Sequence, residues 1–343
     1  MARLRVERVR LALRVPLRTA WGELAEREVL RVRLELSDGD WGEGEAAPLE
    51  PYDGVPAGAV AAALEAYGAL LADAGPGDPA EDLLAACRAE RALPQALAAV
   101  DLALWDRAGR RVGRPVAALL GARAEAVAVN ATVGAEDRAG AARAAAAAAR
   151  AGFACVKVKV GVGDDAGRLG AVRAAVGPAV ALRADANGAW ASPDEALANL
   201  RALAPLDLEL CEEPVHGVAA LRAVRAASPV PVAMDETAAE PGAPGSGAAD
   251  AVCLKVARCG GISGLLDDAR AARAAGAAVY VASSYDGPLG IAAGVHAAAA
   301  LAAKGPVLGC GLSTLAAFRD VGPGALAPRA GRIAVPRGPG LLG

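Results

Sequence analysis

The sequence predicts an α/β fold in which a TIM-type (β/α) barrel follows a smaller α+β unit. From about residue 123, eight short apolar runs alternate with helical patterns, which favours a barrel over an open sheet. Charged residues end five of these runs, and spacings of 26, 27, 23 and 20 residues separate Lys159, Asp185, Glu212, Asp235 and Lys255. A βα unit has about that length, so the series predicts one charged side chain per strand end. In a barrel those ends converge on one mouth.

The N-terminal part predicts a small antiparallel sheet followed by helices. Residues 3–15 and 27–36 alternate apolar and charged side chains, and SDGD at 37–40 is typical of a turn. Helical patterns cover about 56–73, 79–91 and 94–109. We therefore expect a separate α+β unit that ends near residue 122.

The barrel prediction rests on eight strand-like runs. They are VAVNAT, CVKVKV, VALRADA, LDLELCEEP, VPVAMDE, AVCLKVA, AAVYVASS and GPVLGCGL. The segment TAAEPGAPGSGAAD, after the fifth run, carries two prolines and three glycines and predicts a weak helix. The tail from about 318 is rich in Pro and Gly, and its GRIAVPRG predicts a last strand that returns to the N-terminal unit.

Composition excludes several classes of function. Hydrophobic residues make up 55% of the chain and aromatic residues only 3%, so the core must consist of Ala, Val and Leu. A net charge of -3 gives no basic field for nucleic acid. The N-terminus alternates like a strand rather than a signal peptide, and no apolar run is long enough to span a membrane. Six cysteines without a CxxC pair indicate reduced core thiols and favour a cytoplasmic protein.

Three carboxylates that meet at a barrel mouth would supply the hard oxygen ligands that Mg²⁺ prefers. Such an ion can hold a substrate carboxylate and neutralise the enediolate that forms when the α-proton leaves. A lysine can remove that proton only if its pKa falls, and burial or a second ammonium lowers it. Lys157 and Lys159 share one face of a strand, since side chains alternate with period two. Lys255 follows a run further around the barrel and could reach the opposite face of a substrate.

Each motif alone also fits an ordinary structural role. VKVK is typical of a solvated edge strand, EEP of a strand-end loop and DANG of a turn. Together they favour a functional site, because each charged residue ends a run that should be buried, where an unpaired charge is costly. His216 and His296 lie in or beside predicted helices, and we expect surface or helix-packing roles for both.

The motifs KVKV, DANG, EEP, MDE and LKVARCGGISG, in this order, resemble the muconate-lactonizing-enzyme subgroup of the enolase superfamily. The resemblance covers nearly the whole chain, including WGEGEAAP at 41–48. It implies a modified (β/α)7β TIM-type barrel over 123–317, with a capping domain formed by residues 1–122 and the tail 318–343. VASSYDG stands where the mandelate-racemase subgroup needs a histidine, which disfavours that subgroup.

The resemblance also implies roles for individual residues. Asp185, Glu212 and Asp235 would be the ligands of Mg²⁺, with Mn²⁺ as a possible substitute. Lys159 would be the base, Lys157 would tune it, and Lys255 would be an acid/base or a cation on the opposite face. Asn187, Arg183 and Glu236 would support these groups from outside the ligand set.

VNATV, SSYDGPLGIAAGVHAAAAL and CGLST resemble o-succinylbenzoate synthases of menaquinone biosynthesis, a family within this subgroup. That resemblance implies removal of an α-proton by Lys159 and loss of a β-hydroxyl as water. It also implies substrate contacts by Ser283, Ser284 and the amides near Gly311. Dipeptide epimerases of the subgroup usually carry acids after the eighth strand, where this chain has CGLSTLAAF. Further candidate substrate contacts are Thr19, Trp21, Glu50 and Tyr52, and Trp21 is an equal candidate for a domain-interface anchor.

Other functions remain open at this point. Lysines on both faces would also suit an epimerase or racemase of dipeptides or N-acylamino acids, and cycloisomerisation of muconate-type acids is a further option. A binding protein without activity is disfavoured, because none of the acids or lysines is missing. We expect a small-molecule carboxylate as partner, no nucleic acid and no membrane, and the resemblance leaves a homo-oligomer open.

Overall fold

A computed structural model of the chain describes residues 1–19, 22–134 and 136–343. The N-terminal elements are β1 (Arg3–Thr19), β2 (Gly22–Glu35), β3 (Trp41–Ala46), α1 (Glu50–Asp53), α2 (Ala57–Leu70), α3 (Ala80–Glu90), α4 (Pro94–Arg111) and α5 (Val116–Leu119). Next come β4 (Ala126–Ala128), β5 (Ala131–Val133), α6 (Arg138–Arg150), β6 (Cys155–Lys159), α7 (Asp165–Val176), β7 (Ala181–Asp185), α8 (Pro193–Leu203) and β8 (Leu210–Glu212). The chain continues through α9 (Val218–Ala227), β9 (Val232–Met234), β10 (Ala251–Lys255), α10 (Ile262–Ala274), β11 (Ala278–Ala282), α11 (Pro288–Ala302) and β12 (Arg332–Ala334). The three helices predicted before residue 110 are confirmed.

The barrel is a curled parallel sheet in which β5 to β11 lie side by side in chain order. Two isolated parallel bridges close the ring, from Cys310 to Val129 and from Gly311 to Ala282. The predicted eighth strand is therefore reduced to these two residues. The α/β class is confirmed, with a TIM-type barrel preceded by an antiparallel sheet.

One barrel helix is replaced by short turns. Between β9 and β10 the chain forms two 3₁₀ turns, Glu236–Ala239 and Ala243–Gly245. This segment is the one with two prolines and three glycines, which disfavour a regular helix. The sequence predicted a weak helix in this segment, and the structure has two short 3₁₀ turns in place of a regular helix.

The N-terminal unit packs a helix closely onto its sheet. Strands β1, β2 and β3 pair antiparallel in that order, and α4 lies across β3. Gly42 and Gly44 make this approach possible, because a Cβ at either position would overlap a backbone carbonyl of α4. Helix α1 follows β3 directly, and Gln95 of α4 donates to Asp53 of α1 at 2.9 Å, which ties α1 to the packed helix.

The C-terminal tail connects the barrel to the N-terminal unit. The predicted last strand forms as β12, but its antiparallel partner is β4 at the entrance to the barrel and not a strand of the three-stranded sheet. Further along, the Leu341 amide donates to Asp106 Oδ1 of α4 at 2.7 Å. The ring of His296 in α11 is buried between Leu341 O, 2.9 Å from Nε2, and the Ala117 amide, which donates to Nδ1 at 3.1 Å. His296 thus has the helix-packing role expected from the sequence.

The cysteines have the core positions expected from the sequence. All six cysteines are free, and five of them are buried. Among helices of the described ranges, none combines the length and the apolar character needed to cross a membrane.

Candidate active site at the barrel mouth

Three buried carboxylates lie in a row at the C-terminal ends of adjacent barrel strands. Asp185 ends β7, Glu212 ends β8, and Asp235 directly follows β9. Asp185 and Glu212 are register partners in the β7–β8 ladder, which brings their side chains to the same level. The exposed fraction is 0% for Asp185 and Glu212 and 4% for Asp235, so each charge needs a partner inside the protein.

Three of the four lysines in the chain supply those partners. Lys157 Nζ lies 2.8 Å from Asp185 Oδ2 and 2.9 Å from Glu212 Oε1, so it bridges two of the acids. Lys159 Nζ lies 2.7 Å from Asp185 Oδ2, and Lys255 pairs with Asp235 Oδ1. Lys159 and Lys255 therefore stand at opposite ends of the carboxylate row. The structure brings together all six residues that the sequence placed at the strand ends.

The charges of this cluster depend on one another. Burial favours the neutral form of Asp185, but Lys157 and Lys159 override it and hold the Asp185 pKa below its usual value. Asp235 behaves in the same way: burial opposes ionisation, yet Lys255 and Lys157 lower its pKa to about 2. Burial followed by the Asp185 charge raises the pKa of Glu212, the middle acid of the row. Of the three carboxyl groups, the middle one thus ionises least readily.

The donor set fits a hard divalent cation. Carboxylate oxygens of Glu212 and Asp235 lie within 4.8 Å of each other, close enough to bind one ion. Lys157 shows that a positive charge is accommodated between Asp185 and Glu212, since its ammonium contacts an oxygen of each. Three buried carboxylates on adjacent strand ends are the type of ligand that Mg²⁺ uses. The acidic groups are therefore positioned for a metal site.

A chain of hydrogen bonds connects Glu236 through Asn187 to Lys159. The Asn187 side-chain oxygen lies 2.5 Å from Lys159 Nζ, and its Nδ2 donates to Glu236 Oε1 at 2.9 Å. Glu236 thereby fixes which end of the Asn187 amide faces the lysine. Burial, reinforced by the nearby Asp235 charge, raises the pKa of Glu236 to about 8.

Tyr52 brings the N-terminal unit into contact with Lys255. The Tyr52 hydroxyl accepts from Lys255 Nζ at 2.6 Å and from Arg258 Nη1 at 2.9 Å. It donates to Asp235 Oδ2 at 3.1 Å. Among the further candidate contacts in this unit Tyr52 therefore reaches the mouth, whereas the neighbouring Glu50 is exposed.

Arg183 and Tyr280 occupy the barrel interior beneath the carboxylates. Arg183 was expected to support the site, yet its polar contacts lie deeper: Nε donates to Glu209 at 2.5 Å and Nη1 to Gly309 O at 2.7 Å. Its guanidinium lies 4.8 Å over the Tyr280 ring. The Tyr280 hydroxyl donates to Glu212 Oε2 at 2.7 Å, a contact that the sequence did not reveal. Burial, followed by the Glu212 charge, keeps the pKa of this hydroxyl well above its usual value.

The candidate contacts after the seventh and eighth strands are neutral. Ser283 Oγ lies 3.0 Å from Thr314 Oγ1. The Ser284 Oγ is buried and has no hydrogen-bond partner in the described structure. The Gly311 amide donates to Val281 O at 2.8 Å, so it serves the closure of the barrel. Trp21 lies outside the described residues, and Thr19 is described only as the last residue of β1.

Backbone turns with positive φ place several of these groups. Asn187 (φ 45°), Glu213 (φ 42°) and Tyr285 (φ 58°) each follow the end of a barrel strand. Such conformations are uncommon for residues other than glycine and often accompany functional sites. The turn at Glu213 directs its side chain outward, where it accepts from the amides of Asp235 at 2.7 Å and Thr237 at 3.0 Å.

His216 lies on the outside of this turn. Its Nδ1 is 3.0 Å from Glu213 Oε1, and its ring packs against Gly188, where no Cβ would fit. With a side chain 57% exposed, it has the surface role expected from the sequence. Glu213 thus orients the backbone of the third carboxylate, and Glu212 faces the barrel axis.

Both parts of the chain match models of known families. Residues 140–342 match the enolase C-terminal domain-like family. Residues 1–121 match the N-terminal domain of mandelate racemase and muconate lactonizing enzyme. The two matches together cover the antiparallel sheet, the helices around it and most of the barrel.

Individual relatives point to two different reactions. The chain is 41% identical to an o-succinylbenzoate synthase from Thermobifida fusca over 154 residues, which are 43% of this chain and 46% of that protein. The chain thus matches less than half the length of that synthase. It is 30% identical to an L-Ala-D/L-Glu epimerase from Bacillus subtilis over 321 residues, 87% of this chain and 84% of the epimerase.

Solved structures resemble the chain over its whole length. A dipeptide epimerase from Enterococcus faecalis, complexed with Mg and the dipeptide L-Leu-L-Tyr, superposes with a TM-score of 0.88 at 26% identity. That superposition covers 99% of this chain and 98% of the epimerase.

Proposed function

Because the chain belongs to the mandelate racemase/muconate lactonizing enzyme family of the enolase superfamily, we propose that it removes the α-proton of a carboxylate substrate with the help of Mg²⁺. Asp185, Glu212 and Asp235 would hold the ion. When bound, Mg²⁺ neutralises the negative charge that the substrate carboxylate gains as its α-proton leaves. The row of three buried carboxylates between lysines is the observation that supports this proposal.

The two outer lysines have different roles: Lys159 removes the proton, and Lys255 balances negative charge. Lys159 takes the proton, since its side chain is 35% exposed and can return the proton to solvent. Asn187 holds the Lys159 nitrogen at one end of the row. Lys255 provides a fixed positive charge at the other end, where Asp235 and Tyr52 hold it.

We propose that the reaction is a β-elimination that forms o-succinylbenzoate. Lys159 breaks the α C–H bond, the electron pair forms a new double bond, and the β C–O bond breaks. The proton removed and the hydroxide expelled together make one water. Neutral side chains after the seventh and eighth strands, Ser283 and Thr314, support this choice, because no carboxylate lies between 307 and 318 to hold a peptide ammonium.

A direct assay tests the elimination. The purified protein is incubated with Mg²⁺ and the cyclohexadiene precursor of o-succinylbenzoate, and formation of the aromatic product is followed by absorbance. We expect turnover that stops when EDTA removes the metal and returns with Mg²⁺ or Mn²⁺. A folded, metal-loaded protein that leaves the precursor unchanged would reject the elimination.

The second candidate is epimerisation of dipeptides or N-acylamino acids. It is favoured by the match to the B. subtilis epimerase over 84% of that protein and by lysines at both ends of the row. Incubation of a dipeptide library in D₂O decides it, since an epimerase incorporates deuterium at a substrate α-carbon. Deuterium in a dipeptide, with no product from the cyclohexadiene, would establish this candidate instead.

A further inference from the structure

Tyr280 is a large side chain in the barrel interior. It lies in β11, is 1% exposed, and packs with Leu210, Ala233, Ala251, Cys253 and Ala282. Most of these neighbours are small, so they leave a space across the barrel axis that the tyrosine ring fills. Strands β8 and β11 are separated by two other strands, and Tyr280 therefore reaches Glu212 through the interior.

The Tyr280 hydroxyl gives the two oxygens of Glu212 different partners. Oε2 accepts from the phenol at 2.7 Å, and Oε1 lies 2.9 Å from Lys157 Nζ. The same ammonium is 2.8 Å from Asp185 Oδ2. Because Oε2 is occupied by a neutral donor, Oε1 is the oxygen turned toward Asp185 and the shared positive charge.

The ring is held in place from below. The Arg183 guanidinium lies 4.8 Å over it and is itself fixed by Glu209 and by the carbonyl of Gly309. Arg183 is 0% exposed, so this support does not depend on a mobile surface side chain. A continuous set of contacts therefore runs from Glu209, directly before β8, to Glu212 at its end.

We propose that Tyr280 is a positioning residue for the metal site, and that its hydroxyl orients Glu212 so that one defined oxygen is available to the ion. This inference rests on the proposed function, since it assumes that Glu212 is a metal ligand. It assigns to a barrel-interior tyrosine a role that is separate from proton transfer. Tyr280 acts only through Glu212 and has no contact with a substrate in this role.

Metal affinity tests the proposal without any need for a substrate. Mn²⁺ binding to the full chain is measured by electron paramagnetic resonance, in which the free ion gives a sharp signal that decreases on binding. Tyr280→Phe keeps the ring and its contact with Arg183 and removes one hydroxyl. We expect its Kd for Mn²⁺ to rise about tenfold, the size of one hydrogen bond to a charged group.

A matched control removes a buried hydroxyl far from the metal site. Tyr67 is buried in the N-terminal unit, and its hydroxyl donates to the carbonyl of Arg91. Tyr67→Phe should change the Kd for Mn²⁺ by less than twofold. A Tyr280→Phe protein that is folded and binds Mn²⁺ like the wild type would overturn the positioning role.

A double variant separates positioning from a general effect on structure. If Tyr280 acts through Glu212, then adding Tyr280→Phe to Glu212→Gln should weaken Mn²⁺ binding by less than twofold further. A further rise of about tenfold in the Kd for Mn²⁺ when Tyr280→Phe is added to a folded Glu212→Gln protein would mean that the two effects are independent, and it would overturn the proposal. A wild-type protein that binds no Mn²⁺ would reject the metal site itself. That outcome is distinct from a wild type that binds and a Tyr280→Phe variant that binds equally well.

Discussion

The two ends of the carboxylate row differ in how their lysines are held. Lys159 is 35% exposed and contacts Asp185 and Asn187 at the open side of the barrel mouth. Lys255 is 7% exposed and is held by Asp235 and by the Tyr52 hydroxyl from the N-terminal unit. One lysine can therefore exchange protons with water, and the other is enclosed as a fixed charge.

This difference bears on the reaction. An epimerase that removes a proton on one face and returns one on the other needs two lysines that change protonation state. An elimination needs one such lysine and a stable cation to balance charge. Burial opposes the charge of Lys255, but Asp235 and Tyr52 more than compensate and hold its pKa well above the usual value. The asymmetry supports the elimination.

The largest expected effect comes from Lys159. Lys159→Ala and Lys159→Arg should both reduce α-proton removal about 10³-fold, because an arginine stays protonated and cannot act as a base. Turnover of the cyclohexadiene precursor measures this loss, and Lys304→Ala, at an exposed position, is the matched control. Substantial activity in the Lys159→Arg protein would remove the base role from this residue.

A smaller effect is expected at Lys255. Lys255→Arg keeps a positive charge beside Asp235, so we expect turnover to fall about 10-fold to 100-fold, clearly less than for Lys159→Arg. Parallel kinetics of the two arginine variants make the comparison. Equal losses at the two positions would mean that both lysines transfer protons, and the asymmetry would then have no functional meaning.

A substitution at Tyr52 tests whether the enclosure of Lys255 affects turnover. Tyr52→Phe keeps the aromatic ring near Lys255 and Arg258 but removes a hydroxyl that contacts three polar groups. We expect kcat to fall about 10-fold, the size of a lost hydrogen bond to a charged group, with a smaller change in KM. Steady-state kinetics with the cyclohexadiene precursor measure both constants. An unchanged kcat would show that Lys255 does not need this contact.

The smallest effect on turnover is expected from His296→Gln. This substitution separates the pH dependence of stability from the pH dependence of turnover. Burial lowers the His296 pKa to about 4, below its ordinary value of 6.5. The unfolded state therefore binds more protons between these values, and stability present above pH 6.5 is lost as the pH falls toward 4. Between pH 7 and 5 the wild type should lose about 2 kcal/mol more than His296→Gln in urea unfolding.

The comparison with His296→Gln is needed because other groups act in the opposite direction. Burial raises the pKa of Glu45 to about 7 and of Asp286 to about 6, so these acids favour the folded state as the pH falls. Their contribution is common to both proteins and cancels in the difference. At neutral pH His296→Gln should change turnover by less than twofold, and equal pH dependence of the two unfolding curves would contradict the assignment.

The strand-end residues could be predicted because their spacing is a property of the chain alone. A βα unit has a nearly fixed length, so Asp185 and Glu212 fall at equivalent positions without knowledge of any contact. The same regularity predicted most barrel strands. The eighth strand is shorter than predicted, because only Cys310 and Gly311 form bridges to the neighbouring strands.

Contacts across the barrel could not be predicted from spacing. Alternation in β11 indicates that Tyr280 faces away from Val279 and Val281, which pack toward the helices. It does not indicate which residue meets the hydroxyl, because Glu212 lies 68 positions earlier in the chain. Tyr52 is harder still to predict, since 183 positions separate it from Asp235, and it lies in α1 of the N-terminal unit whereas Asp235 follows a barrel strand.

The pairing of Asp106 with Leu341 constrains the order of events during synthesis. The two residues are 235 positions apart, so at the usual speed of translation roughly 10–50 s pass between them. During that interval the Asp106 carboxylate can bind Arg110 and accept from the Glu43 amide, but the Leu341 amide is not yet available to it. A nascent chain stalled before residue 341 should therefore expose α4 to protease more than the released protein does.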